Sequence, residues 1–217
     1  MRGIDISVHN HDRYSFNGGI IPWDKLRAAG VDFVIIRTGG GLSIADSTFK
    51  QDVNDAHSVG MKVGAYHYSY ALNSSAAMQE ADACKRIIDN SGVFLELPVF
   101  FDMEDGDGYK ERHGFGFNKR NMTNICRAWL KEIKPLNSGI YSSLSWYEDY
   151  IDWEKLIEEF GIPIWNAQYN TTDDFQGYIW QFTDSLKIDG QYWDGNILYD
   201  EVHRAGLNPF SQFIQGQ

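Results

Sequence analysis

The 217-residue sequence predicts an α/β fold, an irregular, TIM-like β/α barrel of about eight strands and five helices. Short runs rich in β-branched and aromatic residues alternate with longer amphipathic runs, which is typical of a parallel sheet covered by helices. Only eight residues separate Tyr169 from Tyr178, and a helical crossover needs more chain than that. Helices are therefore expected between the early strands and not between the late ones.

The individual elements follow from these runs in chain order. Strands are predicted at Gly3–Val8, Val31–Thr38, Lys62–Tyr70, Pro98–Glu104, Ser138–Ser143, Ile162–Tyr169, Tyr178–Thr183 and Asn196–Asp200. Helices are predicted at Trp23–Ala29, Ser47–Val59, Ser74–Asn90, Asn118–Ile133 and Ser145–Phe160. Asn118 and Ser145 can cap helix N-termini, and Gly161 follows the last helix. Four glycines within 105–117 predict a long loop over one rim of the barrel.

The length of the chain is typical of one domain closing around a single core. Residues 1–205 are therefore expected to form the barrel domain. Residues 206–217, which contain Pro, Gly and three Gln, are expected to be a C-terminal tail or linker stub.

Charge and cysteine content exclude several function classes. The formal net charge of −11 argues against binding to nucleic acid or to an anionic membrane surface. Cys84 and Cys126 are far apart, and neither a disulfide framework nor a zinc site is expected. The N-terminus lacks the apolar run of a signal peptide, and no run of about 18 apolar residues occurs. We expect a protein made in soluble form, whose export needs outside help.

Two carboxyl side chains end the apolar run PVFFDMED. Asp102 and Glu104 are two positions apart, so on a strand they would point to the same face, roughly 6.6 Å apart along the backbone. Two neighbouring buried carboxyls raise the pKa of at least one, which can hold a proton while the other stays ionised. Acid-assisted cleavage of a glycosidic bond needs this combination. A pair of surface acids at a strand end is the alternative.

Two further acids are candidates for chemistry. Asp5 interrupts the apolar run GIDISV, and a carboxyl within a central strand is costly unless it is paired or used. Asp194 lies in a turn-like Asp-Gly context. Each could instead be structural, Asp5 by accepting backbone hydrogen bonds and Asp194 as a turn residue.

Metal and serine chemistry are the alternatives to acid catalysis. Hard ligands for a metal could come from the set Asp5, His9, Asp102 and Glu104. The sequence has no H-E-x-x-H and no cysteine cluster, so we expect no metal site and no cofactor. It also lacks G-x-S-x-G and a phosphate-binding loop.

Several segments together resemble the family 25 glycoside hydrolases, or Chalaropsis-type lysozymes, a family common among phage endolysins and bacterial wall hydrolases. The similarity runs from about Arg2 to Tyr199 and is carried by GIDIS, AAGVDFVIIRTGGG, GMKVGAYHYSYAL, LPVFFDMED, SGIYSS, IPIWNAQY, YIWQFTD and WDGNILY. The resemblance implies a catalytic barrel with fewer helices than strands. It implies one pocket for Asp5, Asp102, Glu104 and Asp194, and a groove lined by Tyr66, Tyr141, Trp165, Tyr169 and Gln181.

The implied activity is hydrolysis of the β-1,4 bond between N-acetylmuramic acid and N-acetylglucosamine in bacterial peptidoglycan. Glu104 would be the acid and base, and Asp102 would hold the 2-acetamido group or act as a direct nucleophile. A noncatalytic wall-binding barrel and a chitinase are the other classes considered. We also expect a separate wall-binding domain beyond Gln217, and action on the wall after holin-type release or secretion.

Overall fold

The computed structural model describes residues 1–12 and 19–199. Their strands are β1 (Arg2–Ile6), β2 (Phe33–Gly40), β3 (Ile44–Ala45), β4 (Lys62–Tyr68), β5 (Val99–Asp102), β6 (Ser138–Ser143), β7 (Ile164–Ala167), β8 (Ile179–Ile188) and β9 (Gln191–Leu198). Eight of them form a sheet in the order β1-β9-β8-β7-β6-β5-β4-β2, and pairing of β1 with β2 closes it. The predicted barrel is confirmed. The short β3 pairs with the end of β2.

The helices are α1 (His9–Asp12), α2 (Trp23–Ala28), α3 (Phe49–Ser58), α4 (Ser74–Ser91), α5 (Tyr109–Arg112), α6 (Lys119–Glu132), α7 (Leu144–Asp149) and α8 (Trp153–Phe160). The predicted helix Ser145–Phe160 is two helices. After α7 the chain turns, because the amides of Tyr150 and Ile151 both donate to the carbonyl of Trp146. The four-residue helices α1 and α5 were not predicted, since they are too short to show a helical period.

The last barrel strand runs against its neighbours. β1, β2, β4, β5, β6, β7 and β8 are parallel, whereas β9 is antiparallel to both β8 and β1. Asp189 and Gly190 have positive φ angles of 51° and 77°, which suit a tight hairpin turn. The prediction Asn196–Asp200 placed this strand too late, because the exposed hairpin carries polar residues and shows no apolar run. Asp200 and the predicted tail lie outside the described residues.

Two apolar clusters hold the barrel together. The larger cluster lies between the outer faces of the strands and the helices. The smaller one fills the inside of the barrel and comprises Phe33, Ile35, Leu97, Phe100, Tyr141, Trp165, Ile179 and Leu198. Phe100 precedes Asp102 by two residues and therefore lies below it on the same face of β5. The apolar filling thus leaves the carboxyl-end mouth, the opening at the C-terminal ends of the parallel strands, to polar side chains.

Close packing inside the barrel makes Gly139 on β6 sensitive to substitution. A Cβ there would overlap the backbone oxygen of Pro163 and lie 2.9 Å from the ring of Phe100. We expect Gly139→Ala to lower the free energy of unfolding by about 1–3 kcal/mol or more, because a backbone atom cannot move aside cheaply. Urea unfolding measures this change in the free energy of unfolding. Gly116→Ala, with no atom within 4 Å of its added Cβ, is the control, and equal effects would contradict the packing argument.

Candidate active site

Four carboxyl side chains, here called the acid cluster, meet at the carboxyl-end mouth; they are Asp5, Asp102, Glu104 and Asp194. Asp5 on β1 is the register partner of Asp194 on β9. The charge of Glu104 raises the pKa of Asp102, and the charge of Asp194 contributes to raising the pKa of Glu104. The four predicted acids therefore share one site, although they come from three parts of the chain.

Glu104 lies beyond the strand that was predicted to carry it. β5 ends at Asp102, whereas the prediction extended the strand through Glu104. The backbone carbonyl of Glu104 accepts a hydrogen bond from the ammonium of Lys110 at 2.6 Å. In a strand, this carbonyl would instead accept from a backbone amide of the neighbouring strand. The acid pair therefore consists of one strand residue and one residue of the following loop.

Asp102 is the most enclosed member of the pair. Its side chain is 4% exposed, and its Oδ1 atom has no hydrogen-bond partner among the described residues. Burial and the charge of Glu104 raise its pKa well above the ordinary value, while the nearby Lys110 lowers it. An unpartnered buried carboxyl oxygen is costly, and a ligand that donates a hydrogen bond would remove that cost.

Glu104 is partly exposed to the mouth. Burial raises its pKa, Lys110 opposes the rise, and the charges of Asp107, Asp105 and Asp194 add to it. A glutamic acid with a raised pKa keeps its proton at higher pH than usual and can donate it to a substrate.

Asp5 belongs to a buried hydrogen-bond network across β1, β7, β8 and β9. Its Oδ2 atom accepts from the side-chain amides of Gln181 at 2.8 Å and Asn196 at 2.7 Å. Asn196 in turn accepts from the indole N–H of Trp165 at 2.8 Å. Burial and the charge of Asp194 raise the pKa of Asp5, and the two amide donors lower it. The network fixes Asp5 in one orientation beside Asp194.

The predicted groove residues lie at different depths. The hydroxyls of Tyr141 and Tyr169 donate to the side-chain oxygen of Gln181 at 2.9 Å and 3.2 Å. Tyr169 is 58% exposed, whereas Trp165 is 1% exposed and packs against Tyr141 with ring centroids 4.5 Å apart. Tyr66 is partly exposed and meets Trp165 edge to face at 6.0 Å. The buried Trp165 therefore supports the rings of Tyr66 and Tyr141.

Sequence reasoning missed two residues of this site. Asn196 follows Asp194 by two positions on β9, so the strand period could have revealed it. Lys110 lies on the short helix α5 and is 1% exposed; nothing in the polar sequence around it distinguishes it from a surface lysine.

Within residues 1–12 and 19–199, no three His, Cys, Asp or Glu side chains converge as a ligand set for a metal ion. The same part of the chain contains no helix that is both long enough and apolar enough to cross a membrane.

A β/α barrel with several carboxyl groups at its carboxyl-end mouth, and a raised pKa on at least one of them, has the arrangement of a glycosidase. The family model of the glycosyl hydrolases family 25 matches residues 4–191. The chain belongs to this family.

Three relatives illustrate the similarity. The chain is 27% identical over 197 residues to the autolytic lysozyme of Clostridium acetobutylicum, an alignment that covers 88% of this chain and 52% of the relative. The modular autolysin LytC from Streptococcus pneumoniae has a similar structure, with a TM-score of 0.77, 22% identity, and coverage of 91% of this chain and 46% of LytC. The structure of a family 25 glycosyl hydrolase from Bacillus anthracis is also similar, with a TM-score of 0.70 and 19% identity. The alignment covers 96% of this chain and 93% of that protein. The chain spans about half the length of the curated relatives it matches.

Proposed function

We propose that the chain is an N-acetylmuramidase that hydrolyses the β-1,4 bond between N-acetylmuramic acid and N-acetylglucosamine in bacterial peptidoglycan. The observation that carries this proposal is the pairing of Glu104 with Asp102, whose Oδ1 atom is buried without a hydrogen-bond partner among the described residues. One carboxyl can give a proton to the leaving sugar, and the other can receive the N–H of the 2-acetamido group. The name of the 27% identical relative, an autolytic lysozyme, supports the same substrate class.

The first step breaks the bond between the anomeric carbon and the glycosidic oxygen. Glu104 transfers its carboxyl proton to that oxygen, which leaves as the hydroxyl of the next sugar. The carbonyl oxygen of the 2-acetamido group forms a bond to the anomeric carbon and gives a cyclic oxazolinium ion. Asp102, as a carboxylate, accepts the N–H of this ion and stabilises its positive charge.

The second step returns the enzyme to its starting state. Water attacks the anomeric carbon, the Glu104 carboxylate takes the proton of the water, and the bond to the acetamido oxygen breaks. Two inversions at one carbon leave the configuration retained. A direct attack by Asp102 on the anomeric carbon is the competing mechanism and gives the same stereochemistry.

The other members of the site would position the pair and the glycan. Asp194 contributes negative charge beside Glu104, which favours the protonated state of Glu104, and the charge of Asp5 acts on the neighbouring Asp102. Tyr66, Tyr141 and Tyr169, with Gln181, would contact the sugars at the mouth, and Trp165 would hold the Tyr141 ring. Aromatic faces suit the apolar faces of pyranose rings.

Three features of the whole protein belong to the same proposal. The chain would act with a wall-binding domain beyond Gln217, because a module with net charge −11 is not attracted to an anionic wall. It would reach the wall by holin-type release or secretion. Nucleic acid and membranes are not among its expected partners, and no cofactor is expected.

Analysis of the products tests the activity. The purified chain is incubated with peptidoglycan and, separately, with chitin, and the new reducing ends are reduced with borohydride and identified by mass spectrometry. We expect reduced N-acetylmuramic acid from peptidoglycan. Reduced N-acetylglucosamine as the only new end from peptidoglycan would contradict the proposal, cleavage of chitin alone would indicate a chitinase, and binding without cleavage would indicate a noncatalytic barrel.

A further inference from the structure

Lys110 is a buried cation whose ammonium contacts backbone carbonyls. Its side chain is 1% exposed, and within the described ranges its ammonium has no carboxylate oxygen within 4.0 Å, since no such pair occurs among the salt bridges. Burying an ammonium without a direct charged partner is costly. The two backbone carbonyls that it contacts therefore define its role.

The ammonium of Lys110 joins two strand ends at the carboxyl-end mouth. It donates hydrogen bonds to the backbone carbonyl of Ser69, just beyond β4, and to that of Glu104 at 2.6 Å. Ser69 is also tied to β5, because its amide donates to the carbonyl of Asp102 at 3.1 Å. The backbone of Glu104 is thus held against the ends of β4 and β5.

The short helix α5, which carries Lys110, is held by the residue after Glu104. The Asp105 carboxylate accepts from the backbone amides of Lys110 at 2.7 Å and Glu111 at 3.0 Å. This cap fixes the start of α5, and the Lys110 side chain then returns to the Glu104 carbonyl. The backbone at Glu104 is therefore linked to α5 in two ways, through the side chain of Asp105 and through the side chain of Lys110.

Several titratable groups from different elements surround the Lys110 ammonium. They are Asp102 on β5, Glu104 and Asp105 in the loop after it, Tyr68 on β4, Glu80 on α4 and Cys126 on α6. Burial lowers the pKa of Lys110, while the surrounding carboxylates favour its charged form. In return, Lys110 lowers the pKa of both Asp102 and Glu104 against the effect of burial.

We propose that Lys110 is a positioning residue for hydrolysis, which holds the Glu104 backbone beside Asp102 and supplies the positive charge that balances the acid cluster. This inference rests on the proposed function, because Glu104 is taken as the acid and base. A lysine with a purely structural role would affect the stability of the barrel and leave the titration of the acid pair unchanged.

Lys110→Met tests both parts of the inference, with Lys119→Met as the matched control, since Lys119 is an exposed lysine at the start of α6. We expect Lys110→Met to lower kcat on peptidoglycan on the order of 10- to 100-fold with KM nearly unchanged, because a misplaced acid slows the chemical step. Loss of the positive charge raises the pKa of both acids. Both limbs of the pH profile of kcat/KM should therefore move to higher pH by about one pH unit.

A second measurement does not depend on activity. The side-chain carboxyl of Glu104, labelled with ¹³C and identified by its absence in Glu104→Gln, is titrated by NMR in each variant. Its pKa should rise in Lys110→Met and stay at the wild-type value in Lys119→Met. Lys110→Gln, which keeps two N–H donors without the charge, should raise the pKa of Glu104 in the same way and serves if the Met variant does not fold.

The outcomes separate the two proposals. A wild-type chain that leaves peptidoglycan intact would contradict the proposed function, and the NMR titration would still decide the role of Lys110. An active wild type whose Lys110 variants keep the Glu104 titration and a kcat within twofold of the control would overturn the inference.

Discussion

Glu104→Gln is expected to reduce wall hydrolysis by roughly 10²–10⁴-fold, the usual cost of losing a general acid. Glutamine keeps the size of the side chain but has no proton that it can transfer to the leaving oxygen. Clearing of a wall suspension and release of new reducing ends measure the loss. A variant with more than about a tenth of the wild-type rate would rule out Glu104 as the acid.

The control for this experiment is Glu158→Gln, the same substitution at an exposed position of α8. It should keep wild-type activity.

The raised pKa of Glu104 also predicts the alkaline side of the pH profile, since activity is lost as pH rises through that pKa and the carboxyl gives up its proton. The unfolding midpoint of Glu104→Gln at neutral pH should equal or exceed that of the wild type, because one charge of the acid cluster is gone.

Asp102→Asn is expected to lower kcat by about 10²-fold or more, which is the scale of losing one oriented electrostatic contact to the transition state. The carboxylate at this position is buried and has one oxygen without a partner among the described residues, so a substrate N–H fits there. Asparagine removes the negative charge that would stabilise the cyclic ion. Retention of wild-type turnover by this variant would remove Asp102 from the mechanism.

The same residue decides between the two mechanisms. With substrate assistance the intermediate is a cyclised sugar, and no sugar becomes bonded to the protein. With a direct nucleophile, an activated fluorosugar labels Asp102. Mass spectrometry of the peptide that contains Asp102 distinguishes these outcomes, and a glycosyl adduct there would overturn substrate assistance while leaving the muramidase proposal intact.

Asp102→Asn should also stabilise the fold near neutral pH. The pKa of Asp102 in the folded protein is raised above the ordinary value of 3.8, so the folded protein favours the protonated carboxyl. The stability that comes from this protonated form is fully present below pH 3.8 and is lost as pH rises through the folded-state pKa. Between these two pKa values the free energy of unfolding falls by about 1.4 kcal/mol per pH unit. Asparagine does not ionise. From about pH 4 to about pH 7, the free energy of unfolding measured with urea should decrease less for the variant than for the wild type.

The strands of the barrel were largely predictable because their signals are local. The buried runs around Val31–Thr38 and Pro98–Glu104 are rich in β-branched and aromatic residues, and they became β2 and β5. The errors occur where local signals are weak. The exposed hairpin of β8 and β9 has no apolar run, and the turn between α7 and α8 depends on bonds to the carbonyl of Trp146 and on the hydroxyl of Thr123.

The spacing of Asp102 and Glu104 predicted one shared site, and the two residues do lie together, although Glu104 is past the strand. The partnership of Asp5 with Asp194 came only from the family resemblance. These two residues lie near opposite ends of the chain and become neighbours because β9 returns antiparallel to close the barrel against β1. No local pattern carries that information.

The sequence by itself determined the barrel class, the positions of most strands along the chain and the carboxyl residues that the proposed acid catalysis requires, because hydrophobic periodicity and side-chain chemistry are properties of short segments. Tertiary structure alone decided which carboxyls are buried, which oxygen of Asp102 lacks a partner among the described residues, and that Lys110 lies inside. Desolvation and the charges of distant neighbours control these properties, and both exist only after the chain has closed around its core.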